Sequence, residues 1–339
     1  MKHIEILSTL GPSSLNEEVI VNLSKQGVDL FRINLSHTPL DRVESTIELI
    51  QKYSSVPICL DSEGAQIRNQ TMGNGEVDFK KGDQIKIHYS SVLGDQNNIS
   101  FTPHNIAHSF QIGDIIKIDF HTTCIKIVEK TNNYCLAKVI VGGKVGSNKA
   151  VNVNRNIFLE PITEKDKEAI EIGRKMGVSS YALSFANCQK DVELMRSLVG
   201  KESKLISKIE SISGLSNLEN ILEVTDSILI DRGDLSREVP IEKIPFLQRK
   251  IISTAKSHQV PVYVATNLLE SMIFMRQPTR AEVNDVISTI MMGADGLVLA
   301  AETAIGKFPI ETLVMVNKLL EEFQKWTPNT SISEIVEKW

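Results

Sequence analysis

At 339 residues, with 42% hydrophobic and 23% charged side chains, the chain has the composition of an ordinary globular protein and exceeds a typical single domain in length. A net charge of -5 speaks against nucleic acid as a main partner, and no apolar run reaches the roughly 18 residues that cross a bilayer, so no membrane role is expected. Cys59, Cys124, Cys135 and Cys188 lack C-x-x-C spacing and the amino terminus lacks a signal-peptide core, which together predict a reduced, cytoplasmic protein.

In chain order, an apolar run over 4–7 leads into Ser8-Thr9-Leu10-Gly11-Pro12, a turn that neither strand nor helix can continue. Asn16 then serves as an N-cap, Val19, Ile20 and Leu23 form a helical stripe, and Gly27 stops the helix. A strand over 29–35 ends in Arg32, Asn34, Ser36 and His37, a helix covers 40–53, and a third strand over 56–60 ends in Asp61-Ser62-Glu63-Gly64. From about 69 to 156 the rhythm changes to short alternating runs broken by Gly82-Asp83, Asn97-Asn98, Gly113-Asp114, Asn132-Asn133 and Gly142-Gly143, the pattern of an inserted all-β module. Beyond Pro161 the alternation resumes, with helices over 164–176, 190–198, 214–222, 244–257, 281–292 and 310–323 and strands over 181–185, 205–209, 227–230, 260–265 and 296–299. Eight strand-helix units close into a (β/α)8 barrel, an α/β fold with the β domain inserted after the third strand. The expected barrel segments are 1–68 and 157–326. The 69–156 insertion is then a β-barrel domain placed as a lid over the catalytic face, and 327–339 is a short tail.

The densest chemistry lies in 205–240. Lys208 and Glu210 are alternate residues at one strand end, and Asp231, Arg232, Gly233 and Asp234 follow the next strand. Glu210 and Asp234, leaving neighbouring parallel strands at the same end, suit a divalent metal bound through oxygen, with Lys208 as a fixed positive charge beside them. K-x-E alone also describes a surface ion-pair cluster, and the recurrence of charge at both strand ends narrows that alternative. The Gly233-Asp234 backbone, opening a short helix, is suited to hold a substrate carboxylate by its N–H groups. Taken singly, His37 reads as a structural histidine, Thr266 as a loop cap, Ser62 as a turn residue, and Leu268, Leu269, Met272 and Ile273 as one helix face of the core.

The segments STLGPSS (8–14), FRINLSH (31–37), SKIES (207–211), RGDL (232–235), PVYVATNLLESMI (261–273), PTRAE (278–282) and ETAIGKFP (302–309) resemble, in order, the signatures of the pyruvate kinase family, over about 5–323. The resemblance implies a glycolytic phosphotransferase that is metal-dependent and makes pyruvate and ATP from phosphoenolpyruvate and ADP. It implies Lys208, Arg32 and Thr266 as catalytic, and Lys208, Gly233, Asp234 and Thr266 as substrate-binding. On the nucleotide side it implies Thr9, Asn34, His37, Arg68 and Lys149. Mg2+ or Mn2+ would lie on Glu210 and Asp234, and K+ on Asn34, Ser36, Asp61 and Ser62. A homo-oligomer formed through the barrel is compatible with it.

The departures cluster in the loops. The family's usual aspartate-threonine-lysine-glycine-proline-glutamate-isoleucine-arginine appears here as Asp61-Ser62-Glu63-Gly64-Ala65-Gln66-Ile67-Arg68. Asp231 stands for a small residue, Ser236 for glycine, Asn267 for glutamine, Ala301 for glycine and Ile305 for lysine. Ala65 in place of proline should loosen the hinge, and neutral Gln66 should leave potassium a weak activator. Glu63, Asp231 and Ile305 should weaken an anionic acceptor. Residues 327–339 are too few to form the carboxy-terminal effector domain usual in the family, so no sugar-phosphate switch is expected. Two alternatives stand: an enzyme with another phosphoryl acceptor or another enolpyruvate reaction on the same metal site, and a non-catalytic binding or regulatory relative. Joint retention of Lys208, Glu210 and Asp234 speaks against the second.

Overall fold

The computed structural model describes residues 3–64, 66–119, 122–155 and 157–336. Ala65, with its hinge expectation, and Asn156, at the expected edge of the insertion, lie outside the described residues. The chain divides into two compact units, Met1–Gly64 with Pro161–Trp339, and Ala65–Glu160.

The first unit is a closed barrel of eight parallel strands: β1 (Glu5–Leu10), β2 (Leu30–Asn34), β3 (Ile58–Asp61), β4 (Ser180–Leu183), β5 (Lys204–Ile209), β6 (Ser227–Asp231), β7 (Val262–Ala265) and β8 (Gly296–Leu299). Closure comes from β1, which pairs with both β2 and β8, while β3 pairs with β4 across the insertion. These strands read as nearly continuous apolar runs because both of their faces are covered. Alternate residues split the core in two. Leu7, Leu30, Cys59, Ala182, Ile206, Leu229, Tyr263 and Val298 pack inside the barrel, whereas Ile6, Phe31, Leu60, Leu183, Leu205 and Ile228 face outward against the helices.

Each strand is followed by a helical crossover: Glu17–Lys25, Leu40–Tyr53, Glu164–Lys175, Gln189–Val199, Ile244–Ser257, Arg280–Met291 and Pro309–Lys325, with two short helices between β5 and β6. Those two, Ile212–Ser216 and Leu218–Leu222, replace the single helix expected over 214–222. Asn217 ends one and opens the other with a non-helical backbone (φ -108°, ψ 15°), and its amide nitrogen donates to the carbonyls of Asn187 and Ser213. Thr163 with Asp166 and Thr279 with Glu282 form capping boxes that fix where two crossovers begin.

The second unit is a seven-stranded closed barrel, in the order Tyr134–Val141, Gln84–His88, Asn98–Thr102, Ile67–Asn69, Ala150–Val153, Ile115–Ile118 and Thr123–Lys130, with a separate pair Gly143–Gly146 and Glu76–Phe79. Its own core gathers Ile85, Ile87, Ile116, Ile118, Ile125, Ile127 and Phe110. The unit is wider than the change in sequence rhythm indicates. Ile67–Asn69 pairs with Ala150–Val153 and Asn98–Thr102, so Arg68 belongs here and not to the larger barrel. Ile157 and Leu159, beyond the expected edge, also pack on this core. Among the described residues no helix is long and apolar enough to cross a membrane.

Candidate active site

The site follows from strand periodicity. Two residues beyond the inward apolar position the next inward side chain lies at the carboxyl end of the strand, and on six of the eight strands it is polar: Thr9 after Leu7, Arg32 after Leu30, Asp61 after Cys59, Ser184 after Ala182, Lys208 after Ile206 and Asp231 after Leu229. A barrel interior tolerates such groups only when they satisfy one another.

They do so around Asp61, which is fully buried. Its Oδ2 accepts from Arg32 Nε at 2.6 Å and from Lys208 Nζ at 3.1 Å, and it also pairs with the Arg32 Nη2 group. Its Oδ1 accepts from Ser184 Oγ at 3.1 Å. Arg32 Nη1 donates to Thr9 Oγ1 at 2.9 Å, and Lys208 Nζ donates to Ser184 Oγ at 3.1 Å. Lys208 also faces Glu210 Oε1 at 2.9 Å and Asp231 Oδ2 at 4.0 Å. Burial works against the lysine charge, but Asp61 and Glu210 outweigh it and hold the ammonium above its ordinary range.

Carboxylate oxygens of Glu210, Asp231 and Asp234 lie within 4.8 Å of one another. Burial pushes the Glu210 carboxyl up to about 8; Lys208 opposes this and Asp234, Asp231 and Asp61 reinforce it. Asp234 is also raised, by burial and then by Asp231, although Arg237 Nη2 lies 2.7 Å from its Oδ1. Asp231 goes the other way: burial is outweighed by Lys208, the Thr266 hydroxyl and Arg32. With every group ionised, as a bound cation would require, the cluster sets four carboxylates (Asp61, Glu210, Asp231, Asp234) against three cations (Arg32, Lys208, Arg237), one negative charge in excess. Glu210 Oε1 is buried and receives no hydrogen bond beyond its ion pair. A buried carboxylate oxygen whose partner is a lone ammonium, among all-oxygen donors, is a fit for a hard divalent ion.

Thr266 follows β7 with a left-handed backbone (φ 75°), fastened by Arg232, whose Nη2 and Nε donate to the Thr266 carbonyl at 2.5 and 3.1 Å and whose Nη1 donates to Asp285 at 2.7 Å. The Gly233 and Asp234 N–H groups, expected to hold a substrate carboxylate, both donate to Asp231 Oδ1, at 3.2 and 3.4 Å. In this structure the anion at those donors is the chain's own side chain. The reason is local, because an aspartate one residue ahead of the short helix Arg232–Leu235 acts as its N-cap.

Around Asn34, its Oδ1 accepts from the Ser36 N–H at 3.0 Å, and the His37 N–H donates to its carbonyl at 3.1 Å. Ser62 Oγ accepts from the Ser184 N–H at 2.9 Å. Asp61, an expected potassium ligand, is already neutralised by Arg32 and Lys208. Glu63 has Lys165 Nζ at 3.9 Å, which offsets the negative charge it brings. Arg68 and Lys149 belong to the second unit, where Arg68 donates to the Asn148 carbonyl at 2.8 Å and Lys149 Nζ lies 3.3 Å from Asp119. Sequence reasoning missed Ser184 and the central place of Asp231; both occupy the position two beyond an inward apolar residue, a signal that counting along the strands would have found.

The family profile described as pyruvate kinase, barrel domain, matches residues 1–313. A pyruvate kinase of Thermotoga maritima is 36% identical over 96% of this chain and 72% of its own length. One from Clostridium perfringens is 34% identical over 95% of this chain and 70% of its own. A solved structure of a pyruvate kinase from Cryptosporidium parvum superposes with a TM-score of 0.83 at 30% identity, covering 96% of this chain and 70% of that one.

Proposed function

The chain belongs to the pyruvate kinase family, and from that premise we propose that it transfers the phosphoryl group of phosphoenolpyruvate to ADP. In this reading the phosphorus–oxygen bond to the enol oxygen breaks and a bond to a terminal ADP oxygen forms. The released enolate takes a proton at its methylene carbon and leaves as pyruvate.

Phosphoryl transfer calls for cations fixed around a spreading negative charge more than for a covalent nucleophile. The observation that carries the reading is Lys208, buried and held by Asp61, Glu210 and Ser184 at the mouth of the barrel. Its ammonium cannot follow the substrate and therefore presents a preorganised charge to the phosphoryl group in flight. Arg32, braced by Asp61 and Thr9, supplies the second fixed cation. Thr266 would stand on the side from which the enolate carbon is protonated. Glu210 and Asp234 would hold Mg2+ or Mn2+, which when bound supplies charge neutralisation at the enolate and phosphoryl oxygens. Asn34, Ser36, Asp61 and Ser62 would hold the monovalent cation, and Thr9, Asn34, His37, Arg68 and Lys149 would serve the nucleotide.

The decisive assay combines the purified chain, phosphoenolpyruvate, Mg2+ or Mn2+ and a panel of nucleoside diphosphates, with pyruvate formation as readout. Metal-dependent pyruvate formation that requires a nucleoside diphosphate is expected. Phosphoenolpyruvate left intact under every condition would refute the reading.

A further inference from the structure

Three donors converge on one oxygen of Asp231. Thr266 Oγ1 donates to Oδ1 at 2.7 Å, and the Gly233 and Asp234 N–H groups donate to the same atom at 3.2 and 3.4 Å. The backbone that aims them is tightly specified. Thr266 adopts its left-handed conformation against the Arg232 clamp, and a Cβ at Gly233 would lie 2.9 Å from Thr266 Cγ2, so only glycine lets the hydroxyl and the two N–H groups close on a single point. Two N–H groups and a hydroxyl directed at one atom form a carboxylate cradle. This cradle adjoins Lys208, Glu210 and Asp234, and on the phosphoenolpyruvate reading a phosphoryl group meeting Lys208 would bring the substrate's carboxylate within reach of these donors.

We propose that Asp231 is a specificity-determining residue, a tethered carboxylate that competes with the substrate's own carboxylate for Gly233, Asp234 and Thr266. The proposal rests on the phosphoenolpyruvate reading above. Competition arises because a donor that serves one carboxylate must be given up before it can serve another, and the short bond from Thr266 is the strongest of the three. The side chain therefore weakens every carboxylate ligand at this point and leaves ligands without a carboxylate untouched. A third-ligand role for Asp231 toward the divalent ion predicts the opposite responses, which makes the two separable.

The test compares the wild-type chain with Asp231→Ala and Asp231→Asn, each checked for folding by its melting transition. Mn2+ affinity is titrated first without any carboxylate; phosphoenolpyruvate affinity and binding of 13C-acetate, read by its relaxation beside the bound Mn2+, follow. Asp231→Ala should bind phosphoenolpyruvate about tenfold tighter or more and acquire acetate binding, with Mn2+ affinity changed by less than about threefold. Asp231→Asn, which keeps an acceptor without the charge, should show a smaller gain in the same direction, and it carries the test if the alanine variant does not fold. Unchanged or weaker carboxylate binding, or a tenfold loss of Mn2+ affinity, would overturn the proposal. A failure of the function reading looks different: no variant forms pyruvate from phosphoenolpyruvate, while the acetate gain in Asp231→Ala still reports the competition.

Discussion

Lys208 and Glu210 show how charge is balanced residue by residue at the barrel mouth. Replacing Lys208 with methionine leaves Glu210 buried without its cation and Asp61 with Arg32 alone, and breaking a buried pair in this way costs about 3–5 kcal/mol. On the proposed reading the same change also removes a fixed charge opposite the phosphoryl group, and turnover should fall roughly a hundred- to a thousandfold. Urea unfolding and turnover of Lys208→Met measure the two effects, and wild-type turnover in a folded variant would remove Lys208 from the chemistry. Glu210 makes a separate prediction about pH. Its carboxyl, held up to about 8 against an ordinary 4.5, gives up its proton in the unfolded chain first, so ionisation costs the fold stability as pH rises between those values. In EDTA, the stability of the wild type relative to Glu210→Gln should therefore fall from pH 5 to pH 8, and Mg2+ should restore it. A pH-independent difference between the two proteins would contradict the burial argument. Lys208, Glu210 and Asp234 were legible in the sequence because charges at the ends of apolar runs demand an explanation. Ser184 was not, because a serine beside a loop looks the same whether it faces water or holds a lysine.

At the level of elements, the repeating strand-helix rhythm disclosed the barrel, since strands covered on both faces have to be apolar throughout and the helices between them carry one apolar stripe. The break at Asn217 escaped that reading because Leu215, Leu218 and Leu222 keep a helical spacing across it, while the bonds that end the helix run to Asn187, on another crossover. Similarly hidden was the anchoring of the segment after β3. The Glu63 and Gly64 N–H groups donate to the Asp166 carboxylate at 2.7 and 3.2 Å, and Asp166 closes a capping box with Thr163. Gly64 has a positive φ of 73°, and a Cβ there would lie 2.7 Å from Ser184 Cβ and 2.8 Å from the Ser184 carbonyl oxygen. Gly64→Ala thus strains the backbone and displaces the serine that positions Lys208 and Asp61. It should cost about 1–2 kcal/mol from the backbone alone, more from the overlap, and lower turnover with little effect on Mn2+ affinity. Calorimetry and Mn2+ titration of this variant check both statements; an unperturbed melting temperature would show that the segment yields freely. Asp166→Ala, which removes the anchor without overlap, should lose about 0.5–2 kcal/mol for the helix cap alone.

On the scale of the whole molecule, the two units have separate cores, Ile85, Ile116 and Ile125 among the residues of one and Phe31, Leu60 and Ile228 among those of the other. The chain leaves the larger barrel after Gly64 and re-enters it at Pro161, and both crossings are fastened at the same place. Asp166 accepts from Glu63 and Gly64 on the way out and from the Thr163 N–H on the way back. A unit with its own core, joined at two adjacent points, meets the conditions for independent folding. Replacing residues 65–160 with a short glycine linker should therefore leave a barrel that unfolds cooperatively. Such a barrel should bind Mn2+ within about threefold of the full chain, because Glu210, Asp231 and Asp234 and their partners Lys208, Thr266 and Arg237 all lie on the larger unit. Phosphoryl transfer to ADP should be lost, since Arg68 and Lys149 leave with the excised unit, whereas residues 65–160 expressed alone should give the dispersed amide spectrum of a folded β-barrel. Circular dichroism melting, Mn2+ titration and the coupled pyruvate assay on the three proteins decide it. A folded barrel without Mn2+ affinity would show that the metal site is not self-contained, and full turnover without residues 65–160 would free Arg68 and Lys149 of any part in binding the nucleotide.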